Sequence, residues 1–261
     1  MSEIIFLTEL LEGLKMITFE NINIYYDQFH ALKNINVTIN AGEVFVIIGP
    51  TGSGKTTFMK CINNLIVPTS GKIEINGINH DDNSIIELRR KIGYVFQKDC
   101  LLPHLTVEEN IGLVMKILGK KKEEYTDKTY ELMNRVELDP AIYKDRFPFE
   151  LSGGQRQRVG IARGFMVESD IVLLDEPFSA IDPVTKVALQ NMLLEINKKM
   201  DKTLVFITHD INEAMLMADR VCIIKDGEIV VVDTPENVAS MNDEFINSFL
   251  GEEIIESYRR C

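Results

Sequence analysis

The sequence predicts an α/β fold in which a parallel-sheet core is interrupted by a helical insertion. Three observations carry that expectation. Short β-branched and aromatic runs, Val44–Ile48, Ile171–Leu174, Leu204–Ile207 and Val221–Ile224, read as buried strands. They lie on both sides of a central block, about residues 98–160, whose apolar residues keep helical spacing. A glycine-rich loop joins the first of these strands to a helix, as in parallel α/β folds.

Residues 1–15 read as a short amphipathic helix or a frayed arm. Met16 heads a strand-like run, Ile17, Phe19, Ile22 and Ile24, and a second strand is expected at Val37–Ile39. After Val44–Ile48 and its loop, a helix is expected from about Lys55 to Leu65. Lys72–Ile75 is strand-like and closes on Asn76-Gly77, a hairpin signal. In the central block Thr106 and Glu109 form a capping box, and Val107, Ile111, Val114 and Leu118 follow at helical spacing. A second helix covers about Tyr125–Val136, after a lysine-rich link at 120–122. Beyond Ile171–Leu174, the residues Leu189, Leu193, Ile196 and Met200 mark one face of an amphipathic helix. Leu204–Ile207 and Val221–Ile224 are the last strands, the latter turned by Asp226-Gly227. The expected organisation is an arm at 1–15, one domain at 16–250 and a tail at 251–261, with no internal repeat.

Composition narrows the function classes. The 261 residues carry a formal charge of −12, with no long basic run, which argues against clamping nucleic acid through its phosphates. No stretch approaches the roughly 18 to 20 apolar residues of a membrane-spanning helix. The N-terminus, with Glu3, Glu9 and Glu12, has no basic region or cleavage site of a secretory signal. Cys61, Cys100, Cys222 and Cys261 form no CxxC pair and read as free thiols of a reducing cytosol.

The strongest chemical signal is Gly49-Pro50-Thr51-Gly52-Ser53-Gly54-Lys55-Thr56, which fits GxxxxGK[ST] at every fixed position, between a strand and a helix. Glycines let the backbone wrap close to phosphate oxygens, and a helix N-terminus offers free N–H groups and a positive dipole end. Lys55 is expected to reach the β- and γ-phosphates of a nucleotide, the Thr56 hydroxyl to bind Mg²⁺, and Thr57 to complete the nucleotide-binding set. Further on, Ile171–Leu174 ends in Asp175-Glu176, the pattern of a strand that presents a Mg²⁺ carboxylate and a water-polarising carboxylate. Alone it also fits a turn or helix cap; the phosphate loop upstream gives it its meaning. Between the two lies Leu151-Ser152-Gly153-Gly154-Gln155, where a serine and two bare glycines at a helix start make a second anion cradle.

With Gln97 and His209, this ordered set resembles the ATP-binding subunit of an ATP-binding-cassette (ABC) transporter over about residues 16–250. The resemblance implies a P-loop NTPase cassette: a mixed RecA-like core sheet, an N-terminal antiparallel β-subdomain and a helical insertion. Tyr26 resembles the aromatic that stacks on adenine, with Tyr25 as the alternative. Gln97, in Gly93–Gln97, resembles the glutamine that ligates Mg²⁺ and links the core to the insertion. Ser152–Gln155 would bind the γ-phosphate of ATP held by the opposite subunit, and Asp182 resembles the interface aspartate, with Ile181 where Leu is usual. His209 resembles the switch histidine on the γ-phosphate; His30, His80 and His104 read as structural. The implied reaction is phosphoryl transfer to water by Glu176, Lys55, Gln97 and His209. Two copies, or one copy and a related ATPase, would sandwich two ATP molecules.

A cassette without a fused membrane span suits a bacterial importer, bound peripherally at the cytoplasmic face of the membrane to separate permease subunits. A substrate-binding protein would then be an indirect partner. Phe147–Gly154, Thr208–Ala214, Met217–Val221 and Asp233–Pro235 resemble importer ATPases. Ile62–Pro68, Leu88–Tyr94, Pro103–Thr106 and Asp182–Thr185 lean toward the osmoprotectant group, which carries glycine betaine, carnitine, choline and related quaternary amines. A polar amino acid importer and a soluble ABC regulator remain as alternatives. Many ATPases of that group carry C-terminal regulatory domains, whereas here only residues 251–261 follow the cassette. A docking surface for a membrane subunit is expected around Gln97 and residues 98–110, where Leu101, Leu102 and Leu105 are either surface or core.

Overall fold

The computed structural model describes residues 15–79, 85–97, 100–179 and 181–259. Most of the expected arm, His80 and Cys261 lie outside them. In chain order the elements are β1 (Lys15–Tyr26), β2 (Phe29–Asn40), β3 (Val44–Ile48), α1 (Lys55–Ile62), β4 (Ser70–Ile75), β5 (Ile78–Asn79), α2 (Ile85–Arg90) and β6 (Ile92–Val95). There follow α3 (Val107–Ile117), α4 (Thr126–Arg135), α5 (Pro140–Tyr143), α6 (Gly153–Phe165), β7 (Ile171–Asp175) and α7 (Pro183–Met200). The chain ends with β8 (Thr203–Ile207), α8 (Ile211–Met217), β9 (Arg220–Lys225), β10 (Glu228–Asp233), α9 (Pro235–Ser240), α10 (Glu244–Leu250) and α11 (Glu252–Arg259). These form two compact units, one up to Leu88 and from Thr203 onward, the other Arg89–Lys202.

The first unit holds two sheets. One is antiparallel, in the order β2-β1-β4-β5. In the other, β3 runs parallel to both β8 and β9, and β10 closes antiparallel on β9, which makes the sheet mixed. Every residue of β3 and of β8 is buried, as continuous apolar runs require of a strand covered on both faces. The turns expected at Asn76-Gly77 and Asp226-Gly227 are present, each with both residues at positive φ (52° and 71°, 50° and 83°), the geometry of a two-residue hairpin.

Several boundaries differ from the sequence reading. The second strand is not confined to Val37–Ile39 but runs from Phe29 to Asn40. Asn34 sits at φ 47° and register shifts interrupt the β1–β2 ladder, so its period of two is broken where the strand continues. The helix after the phosphate loop stops at Ile62 instead of Leu65, because Asn64 turns the chain at φ 53°. Residues 252–259 of the expected tail are helical, with Ile255 buried and the Tyr258 hydroxyl donating to the Met215 carbonyl of α8.

In the second unit β6 and β7 pair in parallel, with Tyr94 opposite Leu173 and Val95 opposite Leu174. Helix α6 packs on β6 near its C-terminal end, where Gly164 lies close to Gly93 and Val95. Helix α3 begins with the expected capping box: Glu109 N–H donates to Thr106 Oγ1 and Thr106 N–H to Glu109 Oε2. Helix α7 begins with Asp182, whose carboxylate accepts from Thr185 N–H at 3.0 Å, and with Pro183 at its first position. No helix among the described residues is long and apolar enough to cross a membrane.

Candidate functional site

In the first unit, residues 49–54 leave the buried end of β3 and enter α1. Gly54, the residue before α1, has φ 106°, and a Cβ there would lie 2.7 Å from Leu32 Cδ2 and 2.9 Å from the Ala31 carbonyl. Only glycine fits both the angle and the space. The turn at Gly227 backs the loop, donating its N–H to the Ser53 carbonyl and accepting from Lys33 N–H. Lys55 is only 9% exposed, and its ammonium donates to the Gly49 and Pro50 carbonyls at 2.8 and 3.0 Å. The lysine thus folds back over the loop, with two backbone carbonyls against its charge. Ser53 Oγ is buried without a hydrogen-bond partner among the described residues, an orphaned polar atom that a phosphate oxygen would satisfy. Thr56, in the first turn of α1, is exposed.

The two tyrosines separate. Tyr25 stacks on His30, ring centroids 4.0 Å apart, and His30 Nε2 pairs with Asn23 Oδ1 at 3.0 Å, so this histidine serves the hairpin. Tyr26, next along the strand, is exposed to the same extent, 46% against 47%, so what sets the two apart is that the Tyr25 ring is already occupied by His30.

His209 is exposed at the end of β8, on a turn held from beneath. The Thr208 hydroxyl donates to Glu213 and accepts from Asp210 N–H, and Asp210 caps α8 through the N–H groups of Asn212 and Glu213. Thr208 and Glu213 are almost wholly buried. Asp210, Thr208 and Glu213 are therefore the scaffold of the histidine, a role that the string Thr208–Ala214 alone did not reveal. His209 also borders a cavity of about 660 Å³ shared with residues 250–254.

In the second unit, the β6–β7 register continues past both strands. Gln97 Nε2 donates to Glu176 Oε2 at 2.7 Å, 79 residues away in sequence. Tyr94, a residue the sequence reading left unassigned, donates its hydroxyl to Asp175 Oδ2 at 3.3 Å. Glu176 stands at φ 45°, a left-handed conformation uncommon for a residue with a side chain, of the kind that gathers at functional sites.

Ser152 caps α6, its Oγ accepting Gln155 N–H at 3.2 Å while Gln155 Oε1 accepts Ser152 N–H at 2.9 Å. Accepting that bond leaves the serine O–H free in valence to donate to an anion. Ser152–Gln155 and Asp182 line one groove of about 670 Å³, together with Glu137, Arg158, Ile181 and Thr185. Asp175 and Glu176 do not line that groove. The Asp182 carboxyl is held below the usual range, first by the Thr185 backbone N–H.

The segment 100–106 is neither free surface nor core. Leu101, Leu102 and Leu105 are half-buried, and residues 98 and 99 lie outside the described residues. The wholly buried Asn110 pins the segment, accepting Leu102 N–H and donating to the carbonyls of Leu102, Leu105 and Thr106.

A family profile described as ABC transporter matches residues 32–179. The chain is 46% identical over 240 residues to the choline transport ATP-binding protein of Bacillus subtilis (strain 168), covering 91% of this chain and 63% of that protein. It is 44% identical to the glycine betaine/carnitine/choline transport ATP-binding protein of the same organism, with the same coverage. It thus spans less than two thirds of the length of these curated relatives. Among solved structures, it is similar to a dimeric ATP-binding cassette in a post-hydrolysis state bound to ADP and Pi, with a TM-score of 0.75 and 36% identity over 84% of this chain and 99% of that one. It is also similar to cbiO1 from Clostridium perfringens, part of an ABC transporter complex, with a TM-score of 0.81 and 28% identity over 95% of this chain and 99% of that one.

Proposed function

The chain belongs to the ABC transporter family, and on that premise we propose that it is the ATP-hydrolysing subunit of an importer for quaternary-amine osmoprotectants. The observation that carries the ATP reading is the loop 49–56, with its buried lysine wrapped in backbone carbonyls and its orphaned Ser53 hydroxyl. The substrate class rests on the likeness to choline and glycine betaine/carnitine/choline transport ATP-binding proteins.

Each residue then has a defined task. Lys55 exchanges the Gly49 and Pro50 carbonyls for β- and γ-phosphate oxygens, and the loop N–H groups take the remaining charge. A chain of charge −12 can bind ATP because that neutralisation is local. Tyr26 stacks on adenine. The Thr56 hydroxyl, the Asp175 carboxylate and the Gln97 amide oxygen are hard oxygen donors, which suit Mg²⁺ held by few protein ligands and by phosphate. When bound, Mg²⁺ neutralises phosphate charge and orients the β- and γ-oxygens. Glu176 polarises the attacking water, and His209 contacts the γ-phosphate. Gln97 donates to Glu176 in this structure, so its amide must release the carboxylate when water is engaged. Ser152, Gly153 and Gly154 take the γ-phosphate of ATP bound to a second cassette, with Asp182 beside them at the interface. Loss of that phosphate removes the bond between cassettes and frees them to separate.

The segment around Gln97 and 100–110 is the proposed seat of integral membrane permease subunits, which would hold the chain peripherally at the cytoplasmic face of the membrane. A substrate-binding protein would act on it only through them. The test has two arms. Glu176→Gln is expected to abolish steady ATP hydrolysis while ATP binding persists; near-parental turnover would remove Glu176 from its role. Deletion of the gene is expected to abolish uptake of labelled choline or glycine betaine; loss of amino acid uptake instead would move the substrate class. Absence of any co-purifying integral membrane protein would favour a soluble regulator.

A further inference from the structure

The geometry points to Tyr94 as a positioning residue that aims the Asp175 carboxylate at Mg²⁺; this rests on the reading of Asp175 as the metal-side carboxylate. On β6 and β7, Tyr94 lies opposite Leu173. Side chains alternate along a strand, so Leu173 and Asp175 share a face, and a tyrosine ring is long enough to reach the neighbour two residues further on. The hydroxyl does so, donating to Asp175 Oδ2 at 3.3 Å.

The donor is held from two sides. Its ring lies tilted on Phe96, centroids 4.4 Å apart. The backbone at the preceding residue is pinned by α6, since a Cβ on Gly93 would lie 2.3 Å from the Gly164 carbonyl. With Oδ2 engaged by the phenol, rotation of the carboxylate is restricted, which would limit the orientations in which it meets a cation or its water. An outer partner that orients a ligating carboxylate in this way typically sets metal affinity without touching the metal.

The experiment compares Tyr94→Phe and Asp175→Asn with the parent chain. A fluorescent ATP analogue is titrated in EDTA and across a Mg²⁺ series, and ATP hydrolysis is followed over the same series. Tyr94→Phe is expected to bind nucleotide in EDTA as the parent does, but to need about tenfold more Mg²⁺ to gain the metal-dependent affinity. Hydrolysis should shift equally along the Mg²⁺ axis and recover to within about twofold of the parental kcat at saturation. A midpoint reports on the folded fraction alone, so the comparison survives partial unfolding of a variant. An unmoved Mg²⁺ midpoint in Tyr94→Phe, beside a shifted one in Asp175→Asn, overturns the positioning role and leaves the metal reading standing. An unmoved midpoint in Asp175→Asn removes the metal reading and the proposal with it.

Discussion

Gly93→Ala tests the packing that places the acidic pair. Gly93 lies in β6 against the C-terminal end of α6, and an added Cβ would stand 2.3 Å from the Gly164 carbonyl oxygen and 3.2 Å from Val172 Cγ2. Ordinary contact begins at 3.4 Å, so the strand and helix must part by about 1 Å. The obstacle is backbone, which cannot swing aside as a side-chain tip can. Parting them loosens the close approach of Gly164 to the buried Val95 of β6. Overpacking of this kind costs about 1–3 kcal/mol, offset by under about 1 kcal/mol from the lower chain entropy of alanine. At about 2–4 °C per kcal/mol for a chain of this size, a net cost of about 2 kcal/mol should lower the melting temperature by about 4–8 °C. Because β6 leads directly to Gln97 and its bond to Glu176, hydrolysis should fall further than nucleotide binding, which rests on the phosphate loop. Calorimetry without nucleotide, paired with hydrolysis and binding assays, reads both. A melting temperature within about 1 °C of the parent, with normal hydrolysis, would refute the reasoning.

Two further outcomes are expected. Lys55→Ala should lose most ATP affinity in a fluorescent-nucleotide titration, since the charge within the loop goes; undiminished affinity would refute the phosphate-loop assignment. Asp182 and Asp233 are both held below the usual carboxyl range, Asp182 chiefly by the Thr185 N–H and Asp233 chiefly by the Asn237 amide. A lowered folded pKa contributes stability that is present above the ordinary aspartate value and lost as pH falls through the folded one. Denaturation midpoints measured below about pH 4 should therefore decline less steeply in Asp182→Asn than in the parent. Parallel acid limbs would contradict that.

The chemistry-bearing loops were legible because each is local. The strand Val44–Ile48, the glycines and Lys55 sit within a dozen residues, and their burial and angles follow from their own types. The same holds for the capping box at Thr106 and the turns at Asn76 and Asp226. The similar solved cassettes bear out the α/β cassette fold. What stayed hidden lay where local signals conflict. Asparagines and register shifts masked the first half of β2, and Asn64 ended α1 where apolar residues ran on. The segment Leu101–Leu105 could be read as core or surface, because its state depends on Asn110 gripping its backbone.

By itself the amino-acid sequence determined the local loop of glycine angles, helix start and lysine in succession, which is all that a loop needs to be suited to an anion. Only the tertiary structure decided which distant groups meet. Gln97 reaches Glu176 and Tyr94 reaches Asp175 because β6 and β7 pair in parallel in one register, and that register is set by burial and by the close approach of α6. A shift of one residue would turn Tyr94 to the opposite face from Asp175, with every residue type unchanged.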